Sequence, residues 1–276
     1  MRRRSFILVS GVASAALKTP ARAASPRSYS VGIVPQIAPA ELARTWVPLI
    51  SLLAARAGLD LRFATTSDIP SFEDRLAAGE YDFAYMNPYH YNVFAEKPGY
   101  VAFGHEKGRR ISGIVLVAKD APYRQLADLA GHEIAHPTPR AFAATLLIRA
   151  ELARAGIATV PKYVGSHESV YLNVAQGLIA AGGGIPQTLE AMDAPVRVRL
   201  RQLWSSPPYT PHALAAHPRV PAAAVAALQA AMIAADADVQ GREALRGVAF
   251  KGIEAARHRD WDDVRALGLL GLAPAR

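Results

Sequence analysis

The stretch from Tyr29 to Tyr85, YSVGIVPQIAPAELARTWVPLISLLAARAGLDLRFATTSDIPSFEDRLAAGEYDFAY, changes its hydrophobic period four times. Tyr29 to Val34 is a short apolar run of strand type. From Ala40 to Ala57 the apolar residues Leu42, Trp46, Leu49, Ile50 and Leu53 fall on one helical face. Pro48 lies inside that run, where its missing amide predicts a kink or a restart. Leu59 to Ala64 predicts a second strand. Ser71 is expected to cap a helix from Phe72 to Ala78 that Gly79 ends, and Tyr81 to Tyr85 predicts a third strand closed by Asn87-Pro88. Strand, helix, strand, helix, strand implies βαβ crossovers and a mostly parallel sheet.

Working outward, Val101 to Phe103 and Ile111 to Ala118 predict strands joined by a solvated basic turn, Gly104 to Arg110, to which the sequence assigns no function. A second alternating block follows: helix Leu126 to Ala130, strand Glu133 to His136, helix Phe142 to Arg154, strand Val160 to Val164 and helix Glu168 to Gln176. Gly182-Gly183-Gly184 reads as a flexible strand edge or turn. Val196 to Trp204 predicts a further strand that runs into Ser205-Ser206-Pro207-Pro208, and the rest is helical, over Pro221 to Ala237, Gly241 to Arg246 and Trp261 to Leu267. Two alternating blocks with extended segments near Ala118 and Trp204 imply an α/β protein of two lobes joined by two crossings, one of residues 24–118 plus 206–276 and the other of 119–205. A cleft between them would lie beyond the carboxyl ends of strands and face helix N-termini, a geometry that favours an anion.

Composition narrows the function classes. The chain has 276 residues, half of them apolar and a fifth charged, which excludes a disordered or polytopic membrane protein. With no cysteine it has no disulfide framework, thiolate metal site or thiol nucleophile. Met1 to Ala23 has a basic start, an apolar stretch from Phe6 to Leu17 and a small-x-small end at Ala21-Arg22-Ala23, the layout of a cleavable signal peptide; Arg3-Arg4-Ser5-Phe6-Ile7 also resembles a twin-arginine motif. Without the five basic residues of that stretch the net charge falls from +8 to +3, and no basic run with interleaved aromatics follows, so nucleic acid is not an expected partner. The mature chain is expected to be free in the periplasm and not membrane-embedded. No G-x-S-x-G, H-E-x-x-H, P-loop or G-x-G-x-x-G after a strand is present, so the sequence predicts neither an enzyme nor a metal or other cofactor.

Three segments carry a family resemblance: Gly32-Ile33-Val34-Pro35-Gln36 with Trp46-x-Pro48-Leu49; Tyr81-Asp82-Phe83-Ala84-Tyr85-Met86-Asn87-Pro88-Tyr89-His90-Tyr91; and Gly165-Ser166-His167-Glu168-Ser169-Val170. Together they resemble the PhnD-like phosphate-, phosphite- and phosphonate-binding periplasmic proteins of ABC importers. The resemblance implies a type II periplasmic binding protein, each lobe a mixed, mostly parallel sheet flanked by helices, working as a monomer. It also implies a small anionic ligand held between the lobes and an ABC permease as partner, or the periplasmic domain of a sensor kinase if the same fold is used for sensing. Carried over residue by residue, it makes Tyr91 a ligand-contacting hydroxyl and His167 a cleft donor. Thr138 and the amides around Arg140 and Ala141 stand at the anion-binding helix start, with the Arg140 guanidinium as a further contact. Gln36 and Tyr85 join them from the matching segments. The chain departs from the family pattern at His136 to Thr145, where hydroxyls are scarce, and at Ala180 and Ile69, where a carboxylate and an aromatic residue are usual.

Overall fold

The computed structural model describes residues 27–269, so the expected signal peptide and its Arg3-Arg4 motif lie outside the described residues. The first block folds as β1 (Ser28–Ile33), α1 (Pro39–Ala57), β2 (Asp60–Ala64), α2 (Ile69–Ala77), β3 (Phe83–Met86), α3 (Pro88–Glu96) and β4 (Val101–Glu106). α1 buries Leu42, Trp46, Leu49, Ile50 and Leu53, the face its spacing predicts, and ends at Gly58 in the left-handed conformation. The helix runs on through Pro48, on its exposed side, where the Arg44 carbonyl that loses its amide partner is open to water. The cap of α2 is Asp68, which accepts from the Ser71 amide; Ser71 is the capped residue and not the cap. Asn87 caps α3 in the same way, with Pro88 in the first turn.

The chain then crosses to a second sheet. β5 (Ile114–Ala118), assigned to the first lobe by the sequence, pairs instead between β8 (Ala181–Gly184) and β9 (Leu200–Ser205). β6 (Glu133–His136) and β7 (Val160–Tyr163) complete the order β7-β6-β8-β5-β9. Between β6 and β7 a π-helical turn, Phe142–Leu147, runs on into α4 (Ile148–Arg154); α5 (His167–Ala175) and the short α6 (Pro186–Glu190) flank β8, and α7 (Ala194–Arg197) precedes β9. The return crossing delivers β10 (Ala213–Ala216) into the middle of the first sheet, whose order is β11-β4-β10-β3-β1-β2, with α8 (Ala222–Ile233), α9 (Val239–Gly247), β11 (Ile253–Ala255) and α10 (Asp262–Arg265) closing the chain. Both sheets are mixed, and the antiparallel share exceeds what the alternation predicts. β10 enters from the cleft end and so runs against both β3 and β4.

The glycine triplet is a buried internal strand, not an edge. A side chain at Gly183 would overlap the Ala144 carbonyl of the π-helical turn, and one at Gly184 the Tyr171 ring, so only glycine lets both helices lie on β8. The two crossing segments pair with each other, Ile111 and Tyr209 exchanging backbone bonds of 2.9 Å each way. Phe142, Leu146 and Ile185 of the second lobe share one apolar cluster with Val34, Tyr89 and Ile111, so the lobes are closed on one another. Among the described residues no single helix is long and apolar enough to cross a membrane.

Candidate binding site

The carboxyl ends of β1 and β3 and the beginnings of several helices meet where the lobes face each other. The space there is lined by Gln36 after β1, Ile69 and Asn87 at the starts of α2 and α3, Ala141 to Ala144 at the π-helical turn, His167 at the start of α5, and His212 before β10. α2, α3 and α5 begin under the side-chain caps Asp68, Asn87 and Ser166. The helix that starts at Phe142 has no such cap. Its opening amides, those of Phe142, Ala143 and Ala144, have no preceding turn to supply acceptors, so they remain for another group. Two features fix this turn in place: the imidazole Nδ1 of His136 bonds the Ala144 carbonyl at 2.9 Å, and Thr145 Oγ1 donates to the Thr138 carbonyl at 2.7 Å.

The imidazoles of the cleft are neutral. Burial pushes His167 down to about 4. It pushes His212 down to about 3, with His90 and His167 adding to the effect. The Tyr171 hydroxyl lies 2.5 Å from Thr188 Oγ1, which lies 3.3 Å from His167 Nδ1. Thr188 Oγ1 also donates to the Ile185 carbonyl at 3.2 Å, which ties this chain of groups to the start of α6. Gln36 Nε2 is 3.3 Å from His212 Nε2, and the His212 ring lies over Tyr85 at 5.0 Å and 20°. With the Gln36 amide as donor, the His212 proton sits on Nδ1.

The two arginines nearest the cleft are each engaged by an acid. Arg140, from the second lobe, donates to Glu73 Oε2 at 2.7 Å, while Glu73 Oε1, on α2 of the first lobe, accepts from His90 Nε2 at 2.9 Å. Burial would raise the Glu73 carboxyl, but His90 and Arg140 outweigh it and hold the group below its ordinary range. Arg109 donates from Nε to Glu106 Oε1 at 2.9 Å. The cleft therefore offers an anion neutral donors and helix dipoles, not an unpaired cation.

A family model for the periplasmic substrate-binding protein of phosphonate ABC transporters matches residues 31–261. The chain belongs to this family. Solved structures agree in fold. PhnD1 from Prochlorococcus marinus, in complex with methylphosphonate, superposes with a TM-score of 0.80 at 14% identity, over 88% of this chain and 98% of that one. The binding-protein component of an ABC phosphonate transporter from Pseudomonas aeruginosa gives 0.79 at 14% identity, over 88% and 86%. A Xanthomonas citri protein bound to chloride gives 0.76 at 19% identity, over 89% and 98%. Membership in the phosphonate-binding family makes the chain a periplasmic substrate-binding component of an ABC transporter, with a small ligand and a permease as its partners, and not an enzyme.

Of the residues expected from sequence in this family member, Gln36, Ala141 and His167 line the cleft. Tyr85 lines an adjoining chamber. Arg140 stands at the cleft's edge, held by Glu73. Tyr91 is placed elsewhere: its hydroxyl accepts from the Ala102 amide at 3.2 Å, lies 2.9 Å from His258 Nδ1, and its ring packs on Trp261 at 4.6 Å. Helix register explains this, since Tyr91 lies one turn beyond the cap of α3 and faces β4 instead of the cleft. Thr138 is buried with no hydrogen-bond partner for Oγ1 and is not among the lining residues. Sequence reading missed Asn87 and His212. Asn87 was legible, because asparagine before a proline and a run of aromatics is a helix-start signal. His212 was not, since nothing in its local pattern points to a cleft.

Proposed function

We propose that this protein captures a small oxyanion of the phosphonate, phosphite or phosphate type between its lobes and presents it to the permease of an ABC importer. The observation that carries the reading is the uncapped helix start at Phe142, facing a small space lined by His167, His212, Asn87 and Gln36. Its amides complement an oxyanion at close range, where the helix dipole adds to the hydrogen bonds. In this closed arrangement the space beside them is about 20 Å³, room for about one water. A tetrahedral oxyanion is larger, so the lobes part to admit it and close on contacts from both sides. Closure is favoured only by contacts made in the closed form, and here those are the amides and His167 of one lobe with Gln36, Asn87 and His212 of the other.

Titration calorimetry of the chain from Ala24 onward against phosphate, phosphite, methylphosphonate, sulfate and acetate tests this. At least one phosphorus oxyanion is expected to bind at one site per chain, and His167→Leu to weaken that binding by about 10-fold or more. Absence of both heat and a melting-temperature shift with every phosphorus oxyanion would overturn the reading.

A further inference from the structure

The ligand space holds little fixed charge. None of its lining residues is charged, and the titratable side chains among them, His167 and His212, are both neutral. His136, under the π-helical turn, is neutral as well. A second chamber of about 110 Å³ shares Gln36, Ile111, Ile185 and His212 as walls and adds Glu106, Arg109 and the Tyr85 phenol, which burial keeps protonated. The two arginines beside these spaces each face a carboxylate: Arg140 meets Glu73, which His90 also serves, and Arg109 meets Glu106. The exposed Lys251 acts on Glu106, but Asp68 and Glu168, exposed at the starts of α2 and α5, weigh against it. The cleft thus brings an anion no surplus of positive charge beyond the helix start at Phe142, worth about half an elementary charge.

Resting on the oxyanion reading above, we infer that the cleft takes its ligand as a monoanion, the bound oxyanion keeping one acidic proton that it donates to Gln36 Oε1. The helix start offsets part of one buried negative charge, and a second would be buried with nothing to balance it. An acceptor for the proton is at hand. Gln36 Nε2 lies 3.3 Å from His212 Nε2, whereas Oε1 of the same amide has no protein partner and is not sealed from water-sized groups. The second dissociation of a phosphorus oxyacid lies near neutrality, so a phosphonate or phosphite can supply this hydroxyl at pH 7. Sulfate is also tetrahedral, but it carries two charges and no proton. The charge of the cleft, and not only its shape, therefore selects the ligand.

The test uses methylphosphonate, phosphite and sulfate on the chain from Ala24 onward. Because the bound form keeps its proton, affinity for the two phosphorus acids is complete below the second pKa of the free acid and is lost above it, by about tenfold per pH unit. Titration calorimetry should show affinity for methylphosphonate about 10-fold weaker at about pH 8.5 than at about pH 6. Phosphorus-31 NMR should show the bound ligand with the resonance of the monoanion, unchanged between the two. Sulfate is expected to bind at least about 100-fold more weakly than methylphosphonate at the lower pH. Gln36→Met, which removes the acceptor, should weaken methylphosphonate there by about 10-fold. A bound resonance that follows the dianion, sulfate binding within about tenfold of methylphosphonate, or unchanged affinity in Gln36→Met overturns this inference alone, since each is read on a protein that binds an oxyanion. If no phosphorus oxyanion binds at either pH, the oxyanion reading fails and this inference fails with it.

Discussion

Replacing Arg140 by methionine should open the lobes. Glu73 is only 4% exposed, and the Arg140 side chain that pairs with it from the opposite lobe is 19% exposed. Parting the lobes breaks the pair in any case and hydrates both groups, so the substitution penalises only the closed form. Removing one partner of a buried ion pair costs about 3–5 kcal/mol. Because Arg140 keeps some contact with water and His90 still serves Glu73 Oε1, about 2 kcal/mol is the better figure. At 1.4 kcal/mol per tenfold, the equilibrium shifts about 30-fold toward the open form. Small-angle scattering of the unliganded protein at pH 7 should give a larger radius of gyration for Arg140→Met than for the unsubstituted chain, and a saturating oxyanion should restore the smaller value. The double substitution Glu73→Gln with Arg140→Met removes both charges and should close the lobes again in large part. A scattering curve for Arg140→Met that superposes on the unsubstituted one, or a double variant as open as the single, would refute the reasoning.

Three further outcomes are expected. His136, His167 and His212 are held neutral, at about 4, about 4 and about 3 against an ordinary 6.5. Their folded-state values are depressed, so the stability they permit is complete above about pH 6.5 and is lost as pH falls toward those values, by about 1.4 kcal/mol per pH unit for each histidine; a urea midpoint no lower at pH 5 than at pH 7 would contradict this. Tyr91→Phe should leave oxyanion affinity unchanged and lower stability by about 1 kcal/mol, because the hydroxyl serves Ala102 and His258 inside the first lobe; a tenfold loss of affinity in calorimetry would return Tyr91 to the cleft. Gly183→Ala should destabilise the chain by about 1–3 kcal/mol and displace the turn whose carbonyl at Ala144 it meets, so a urea midpoint and affinity both equal to those of the unsubstituted chain would show that β8 does not position the site.

The alternation in Tyr29 to Tyr85 was legible because each element there carries its own signal. α1 has a clean apolar stripe, Gly58 ends it, and β1 and β3 are bounded by turn residues. Elements whose signal is not local were missed. β10 reads Ala-Leu-Ala-Ala, which by propensity suits a helix, yet it is fully buried between β3 and β4. Pairing on both edges overrides propensity there. The triplet Gly182 to Gly184 was misread for a related reason: glycine looks like flexibility in a sequence, and its use here is close approach by Ala144 and Tyr171, residues dozens of positions upstream or on another element. The basic segment Gly104 to Arg110 was given no function, but its Glu106 and Arg109 face the second chamber.

The sequence by itself determined the two-lobed α/β class, the family, and three residues of the cleft, Gln36, Ala141 and His167, because each sits at or beside an element boundary with a recognisable pattern. Only the tertiary structure decided that Tyr91 turns away, that Glu73 and Arg140 join the lobes, and that His212 lines the cleft. The ion pair and the walls of the cleft depend on how one lobe is set against the other across the crossings at Ile111 and Tyr209, whereas Tyr91 is held by Ala102 and His258 inside the first lobe. Contacts between groups 50 or more residues apart leave no local period, cap or spacing for a sequence to display.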